Sequence, residues 1–213
     1  MTLLPVMTPK FKSLKLVAST SVASLADGNN TFSSLSFGTP ASGRRLILAI
    51  ATISFAGQSL NSVTIGGVTA TARVARGGGA HSLNGYSYVF DATVPTGASG
   101  DIVLNISTTF DLTSLSLFRA IGLKTAGAYH TNANENTGSI TVNVPANGFI
   151  IAAKASINTT SMTWTGLTRE RNDHAGSNES TSTAYSALMA AQTGYTVTTT
   201  STDNNAQVIA SFG

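Results

Sequence analysis

Cysteine is absent from the 213 residues, which excludes a disulfide scaffold, thiolate metal ligation and a cysteine nucleophile. Charge is scarce as well: Asp, Glu, Lys and Arg make up 10% of the chain, against roughly 25% in ordinary soluble domains. A surface so poor in ions has to be built from the hydroxyls and amides of Ser, Thr and Asn, and from Gly. That suits extracellular β proteins and chains whose flanks are covered in an assembly. Twelve cations against nine acids leave a net charge of +3, with Arg44-Arg45 the longest basic run and Lys10, Lys12 and Lys15 the only basic cluster. Nucleic-acid binding calls for a dense basic stripe with interleaved aromatics, so no nucleic-acid partner is expected. No apolar run reaches the roughly eighteen residues of a membrane-spanning helix, and no membrane partner is expected. The first ten residues lack the basic start and long apolar middle of a signal peptide, so the expectation is synthesis in the cytoplasm without one.

What is present is a β pattern from Leu14 onward. Arg44–Phe55 places Leu46, Leu48 and Ile50 on one parity and Ile47, Ala49, Ala51, Ile53 and Phe55 on the other. Alternate side chains of a strand point to opposite faces, so this run predicts a central strand covered on both sides. Leu14–Ala18 and Phe32–Phe37 read as strands before it, with a turn over Asp27–Asn30. Ser62–Ile65, Gly66-Gly67 and Val68–Val74 read as a hairpin, since two glycines supply the positive φ of a tight turn. Tyr86–Val94, Asp101–Thr108 and Leu115–Ala120 follow. Short strands at such intervals, without long 3.6-period segments, predict an all-β antiparallel β-sandwich or jelly-roll-like fold.

The pattern recurs at a period of roughly one hundred residues. Pro40–Gly43 and the following Leu46–Ala49 return as Pro145–Gly148 and Phe149–Ala152. Val63–Gly66 returns as Thr163–Gly166, Tyr86–Ala92 as Tyr185–Ala191, Asp101–Thr108 as Tyr195–Thr202 and Leu115–Ala120 as Gln207–Phe212. This alignment sets Lys154 at the place of Ala51, on a face expected to be wet or to meet a partner, and favours a strand over Ser186–Gln192. The expected organisation is an extended arm over residues 1–12 and two pseudo-repeated halves, 13–122 and 123–213. Two tandem sandwiches or one double-length sandwich would both satisfy it. No linker composition separates the halves, which favours one compact unit.

No catalytic motif stands out. His81, His130 and His174 are far apart, without the i, i+4 spacing of a helical zinc site. Gly57-Gln58-Ser59-Leu60-Asn61 misses the last glycine of a nucleophile elbow, and Gly77–Gly79 lacks the lysine of a phosphate loop. Asn132–Asn136 and Asp203–Asn205 offer oxygens that could hold calcium, though polar turns explain them more simply, and no cofactor is expected. Trp164 with Tyr86, Tyr88, Tyr129, Tyr185 and Tyr195 could stack on a sugar, with core packing the plainer reading. The repeat singles out two loops, Arg76–Asn84 and Arg171–Asn178, each opening on Arg and containing a His. Loops at the rims of β scaffolds carry binding function, so Arg76, His81, Asn84, Arg171, Asp173 and His174 are candidate partner contacts. Lys10, Phe11 and Lys12 are candidate anchors in the arm.

Three stretches together, Gly43–Ile50, Ser62–Val68 and Val94–Leu104, resemble β-sandwich structural and accessory proteins of tailed bacteriophages and prophages. Thr163–Glu170 is similar to the second half of such chains. The resemblance spans most of residues 14–213, rests on turn-and-strand signatures, and transfers no functional residues. It implies a non-enzymatic virion component, made in the bacterial cytoplasm, that docks on capsid or tail as decoration, fibre or accessory. The partners it implies are other virion proteins and further copies of the chain in a homo-oligomer. The alternative is a carbohydrate- or host-receptor-binding module that takes a surface glycan.

Overall fold

The computed structural model describes residues 13–54, 60–78, 84–135, 137–157, 161–175, 179–201 and 205–213, and these contain strands, turns and no helix. The first large sheet is made of β1 (Ser13–Val22), β9 (Leu112–Ile121), β3 (Arg45–Ser54), β7 (Asn84–Thr93) and β6 (Thr71–Gly78), in that spatial order. The first small sheet runs β2 (Gly28–Ser36), β8 (Ser99–Ile106), β4 (Leu60–Ile65) and β5 (Val68–Thr69). The second large sheet runs β10 (His130–Glu135), β17 (Asn205–Phe212), β12 (Phe149–Ser156), β15 (Glu179–Tyr185) and β14 (Thr168–Ala175). The second small sheet runs β11 (Ser139–Val144), β16 (Gln192–Thr199) and β13 (Trp164–Thr165). Every pairing is antiparallel.

The four sheets stack as small, large, large, small. Leu46, Leu48 and Ile50 of β3 join Leu115 and Leu117 and the small-sheet residues Val63, Ile65, Ile102 and Leu104 in one buried cluster. Ile47, Ala49, Ala51 and Ile53 point the other way, onto Phe149, Ile151, Ala153 and Ala155 of β12. Ile150 and Ala152 meet Ile140, Val142 and Val197 of the second small sheet. So β3 and β12 are each buried on both faces, as the double apolar parity of Arg44–Phe55 requires. At roughly 1.5–3 kcal/mol per fully buried large side chain, β3 alone supplies on the order of 10 kcal/mol before chain entropy. The arrangement is two two-layer sandwiches, consecutive in the chain and joined face to face through their large sheets.

Replacing each strand of the first half by its successor in the second turns one set of strand orders into the other, with β5 left over. Across the central layer β3 lies over β12 and β15, β7 over β12 and β17, β6 over β17 and β10, and β9 over β15 and β14. The same exchange maps that set of neighbours onto itself with one exception: β6 over β10 has no equally close counterpart between β14 and β1. Local detail follows too. The bulge that leaves Arg73 unpaired in β6 has a partner in the one that leaves Glu170 unpaired in β14, and bulges of this kind increase local twist.

Three expectations need correction. The turn backbone sets Arg44, whose N–H donates to Ala41 O, against Gly148, whose N–H donates to Pro145 O. Leu46 therefore corresponds to Ile150, and Lys154 takes the place of Ile50 rather than Ala51. The repeat read from sequence is one residue out of register here, and a one-residue slip sends every side chain to the opposite face. Lys154 is accordingly neither wet nor at a partner surface but fully buried. Second, Ser186–Ala191 is not a strand: Met189 makes one isolated bridge to Gly148, Gln192 already opens β16, and the counterpart of β7 is β15. Third, Asn29 and Asn30 belong to β2, and the reversal precedes Gly28.

The central layer is chemically lopsided. On the β7 side Val89 packs with Val208 and Ala210. On the β9 side hydroxyls meet: Ser114 Oγ lies 2.6 Å from Thr181 Oγ1 and Ser116 Oγ 2.6 Å from Thr183 Oγ1. Thr181 and Thr183 of β15 are buried with these partners, and Ser182 Oγ accepts from Trp164 Nε1 and donates to Arg171 O; without a partner each such hydroxyl would cost about 1–3 kcal/mol.

Candidate functional site

Arg76 and Arg171 are not at loop tips; they lie on the edge strands β6 and β14. Register places Arg76 opposite Ser87 and Asp173 opposite Thr181, so Asp173, not Arg171, is the equivalent of Arg76. Each reaches across to the other half. Arg76 Nη2 donates to Glu135 Oε1 of β10 at 2.6 Å. Asp173 accepts from Ser21 Oγ of β1 at 3.1 Å and from Ser114 Oγ at 2.5 Å. Glu135 and Ser21 are themselves equivalent, facing Ala206 and Ser114. The two clamps occupy matching positions, an Arg–Glu ion pair at one and an Asp–Ser hydrogen bond at the other. Arg171 braces its clamp by donating to Asp173 at 2.5 Å and to Ser21 Oγ at 2.7 Å.

His174 is exposed opposite Ser180, and Asn84 opens β7 opposite Ser54. His81, like Lys10, Phe11 and Lys12, lies outside the described residues. The aromatics form no platform. Tyr185 packs on Phe118 with ring centroids 5.4 Å apart. Trp164 Nε1 donates to Ser182 Oγ at 2.8 Å and the Tyr195 hydroxyl to Gly166 O at 2.8 Å. Tyr88 is buried, which raises its phenol above the ordinary value, with the neighbouring Tyr86 adding to the effect. Asn132 and Asn134 donate to Thr141 O and Ser139 O; Asn136, Asp203 and Asn204 lie outside the described residues. Among the described residues no three His, Asp or Glu side chains gather as a metal site.

The strongest polar constellations are ones the reading of motifs missed. Arg44 is fully buried, and among the described residues no carboxylate forms an ion pair with it. Its guanidinium donates to Val94 O (2.6 Å), Gly38 O (3.0 Å), Thr96 O (2.5 Å), Gly97 O (2.8 Å) and Phe37 O (3.3 Å), and its charge sits 6.0 Å from the Phe37 ring centroid. Burial lowers its pKa, and the charge of Arg119 adds to this. One side chain thereby closes the strand-end loops of the first sandwich.

Next to it, Asp91 is buried between Arg45 and the bulged Arg73. Both guanidiniums also bind the segment joining the halves: Arg45 donates to Thr125 O and Ala126 O at 2.9 and 2.8 Å, and Arg73 to Ala126 O at 2.9 Å. Burial, with Arg73 nearby, brings the Arg45 pKa down to about 10. The third constellation is Lys154, whose Nζ sits in a cage of neutral oxygens. The available signals were Arg-Arg at the head of a doubly apolar strand and a lysine inside its counterpart. Neither reveals its partners, because most are backbone carbonyls far along the chain.

Two kinds of surface remain open. The outer faces of the small sheets carry uncharged rows: Asn61, Asn105 and Asn29 are hydrogen-bonded in series across three strands at 3.0 and 2.6 Å, and Thr165, Thr198 and Ser139 lie in register on the second small sheet. Over Phe37, an open cleft of about 400 Å³ is bounded by the Gly66–Val68 turn, the Pro95–Gly97 loop and Asp101. Gly66 and Gly100 are required there, since a Cβ would stand 2.8 and 2.6 Å from the Phe37 ring.

No protein-family model and no curated protein matches the chain. The class defined by the fold is an all-β antiparallel sandwich protein with two sandwiches stacked through their large sheets.

Proposed function

We propose that the chain is a non-enzymatic structural component of a phage virion that docks on capsid or tail as a decoration, fibre or accessory protein. The observation that carries this reading is where the ionisable groups go. Arg44, Arg45, Arg73, Asp91, Arg171, Asp173 and Lys154 all tie strands, connector and halves to one another, which leaves outer small-sheet faces built mostly of hydroxyls and amides, with Asp101 the acid on β8. Catalysis needs a group left poised for proton transfer or attack on a substrate, whereas a scaffold part needs rigidity and docking faces. Association with other virion proteins and with further copies of the chain covers such faces and the sheet edges.

The test is to purify particles of a phage or prophage encoding the chain and to quantify it by mass spectrometry and antibody labelling. A fixed copy number per particle is expected. Its absence from purified particles, with the protein recovered free in the lysate, overturns the proposal. Removing residues 1–12 then measures the arm: reduced occupancy is expected if Lys10, Phe11 and Lys12 anchor it. The cleft over Phe37 favours a second reading, a glycan- or receptor-binding module. Glycan-array binding that is lost in Val68→Arg would support that one instead.

A further inference from the structure

Lys154 extends from the middle strand of the second large sheet toward the second small sheet and is fully buried. Its Nζ lies 2.5 Å from Thr199 Oγ1, 2.6 Å from Ser201 O and 3.1 Å from Thr137 O, with Gln207 Oε1 at 3.5 Å. These acceptors come from the end of β16, the segment after it, the β10–β11 connection and β17, so one amine gathers four pieces of chain at one corner. All four are neutral. The side chains sharing that space from β11, β16 and β17 are Ile140, Val142, Val144, Val197 and Ile209, and β15 contributes Ser180 and Ser182. On the strand faces turned to the second small sheet the titratable groups are His130 of β10, at the far end of that strand opposite Ser211, and two on β14, Arg169, held on Met162 O, and exposed His174; Tyr195 of β16 is bonded to Gly166 O. Glu135, Glu170, Arg171, Asp173, Glu179 and Tyr185 are turned to the other half, toward Arg76, Ser19, Ser21, Ser114, Asp111 and Phe118. Among the described residues no acid faces Lys154.

A buried ammonium without a countercharge loses most of its hydration, and burial favours the neutral amine. We propose that Lys154 makes the opening of this corner a proton-linked event, in which parting the second small sheet from its large sheet lets the amine reach water and take up a proton. In the closed corner burial holds the Lys154 pKa down to about 7, against an ordinary 10.5. Between those values the open form binds a proton that the closed form does not. The closed form therefore gains on the open one as pH rises through this window, by up to tenfold per pH unit, and the dependence vanishes below it.

Hydrogen exchange on the full chain between pH 7 and 9 tests this. Protection factors for amides of β11 and β16 are expected to rise by up to a hundredfold, while those of β2 and β8 in the first small sheet stay level. In Lys154→Met the rise disappears. Parallel behaviour of the two small sheets, or a rise retained in the variant, overturns the proposal. A measurement independent of the variant's folding is the NMR titration of the lysine side chains in the unmodified protein. One of the five lysines is expected to titrate near neutrality; titration of all five above pH 10 also overturns it.

Discussion

The Arg45–Asp91–Arg73 cluster allows a sharp test of what joins the halves. Asp91→Asn keeps the shape of the side chain and removes the one negative charge between two guanidiniums, of which Arg45 is almost fully buried. The remaining cations repel each other, and their grip on Thr125 O and Ala126 O weakens. Breaking a buried pair by removing one partner costs about 3–5 kcal/mol. For a chain of this size that corresponds to a fall in Tm of roughly 6–20 °C, at about 2–4 °C per kcal/mol. The molecule supplies its own control: Arg76 and Glu135 form an ion pair whose side chains are 42% and 40% exposed, and such pairs contribute about 0–1 kcal/mol. Glu135→Gln should thus shift the calorimetric transition by a few degrees at most, and salt should reduce that shift. Salt should leave the Asp91→Asn loss nearly unchanged. Limited proteolysis adds a local readout, because the connector at 124–127 should become a preferred cleavage site in Asp91→Asn alone. If both substitutions cost the same, or if Asp91→Asn costs less than 1 kcal/mol, the assignment of Asp91 as the central tie is wrong.

Other perturbations give equally definite outcomes. Arg44→Met strips donors from five carbonyls, and a loss of about 3–5 kcal/mol is expected in urea unfolding, given about 1–3 kcal/mol per stranded buried group and partial access of the loops to water. In the hydroxyl seam, Ser116→Ala should cost about 1–3 kcal/mol by orphaning Thr183, and adding Thr183→Val should recover most of it. A double variant costing the sum of the two singles would refute the pairing. Tyr88 is neutral in the folded chain above its ordinary pKa because burial opposes phenolate formation. Above about pH 10 the unfolded chain releases that proton and the folded one does not, so stability should fall as pH rises there. Phenolate absorbance should show at least one tyrosine that ionises only with unfolding; full ionisation of all five in the native state would refute it.

Much of the fold was legible because apolar parity is a direct record of burial. Arg44–Phe55 announced a strand covered on both faces, and Gly66-Gly67 announced the β4–β5 hairpin, whose two glycines both take positive φ. What failed was register. Phe149–Ser156 is apolar on both parities, so sequence similarity could not tell a correct alignment from one shifted by a residue, and only the turn hydrogen bonds decide it. β15 was missed for a different reason: its buried faces are Ser and Thr, which read as surface until their partners on β9 are known. The candidate contacts Arg76, Arg171 and Asp173 are polar and reach the other half, but matching the two stretches Arg to Arg pairs Arg76 with Arg171, whereas register pairs it with Asp173. Their partners, Glu135, Ser19, Ser21 and Ser114, lie 59 to 152 residues away, and no spacing rule connects them.

The pairing of β1 with β9, and the meeting of two finished sandwiches across the β3–β12 layer, has a consequence for biosynthesis. The first large sheet cannot close until Ile121 has left the ribosome, since its first strand waits for its last. Its inner apolar face, with Ile47, Ile53 and Phe118, then stays uncovered while the roughly ninety remaining residues are made. At about 5–20 residues per second, that is on the order of 5–20 seconds. During that interval the nascent chain presents a sticky sheet at the ribosome exit, and chaperone occupancy there should peak after Ile121 emerges and decline as Phe212 does.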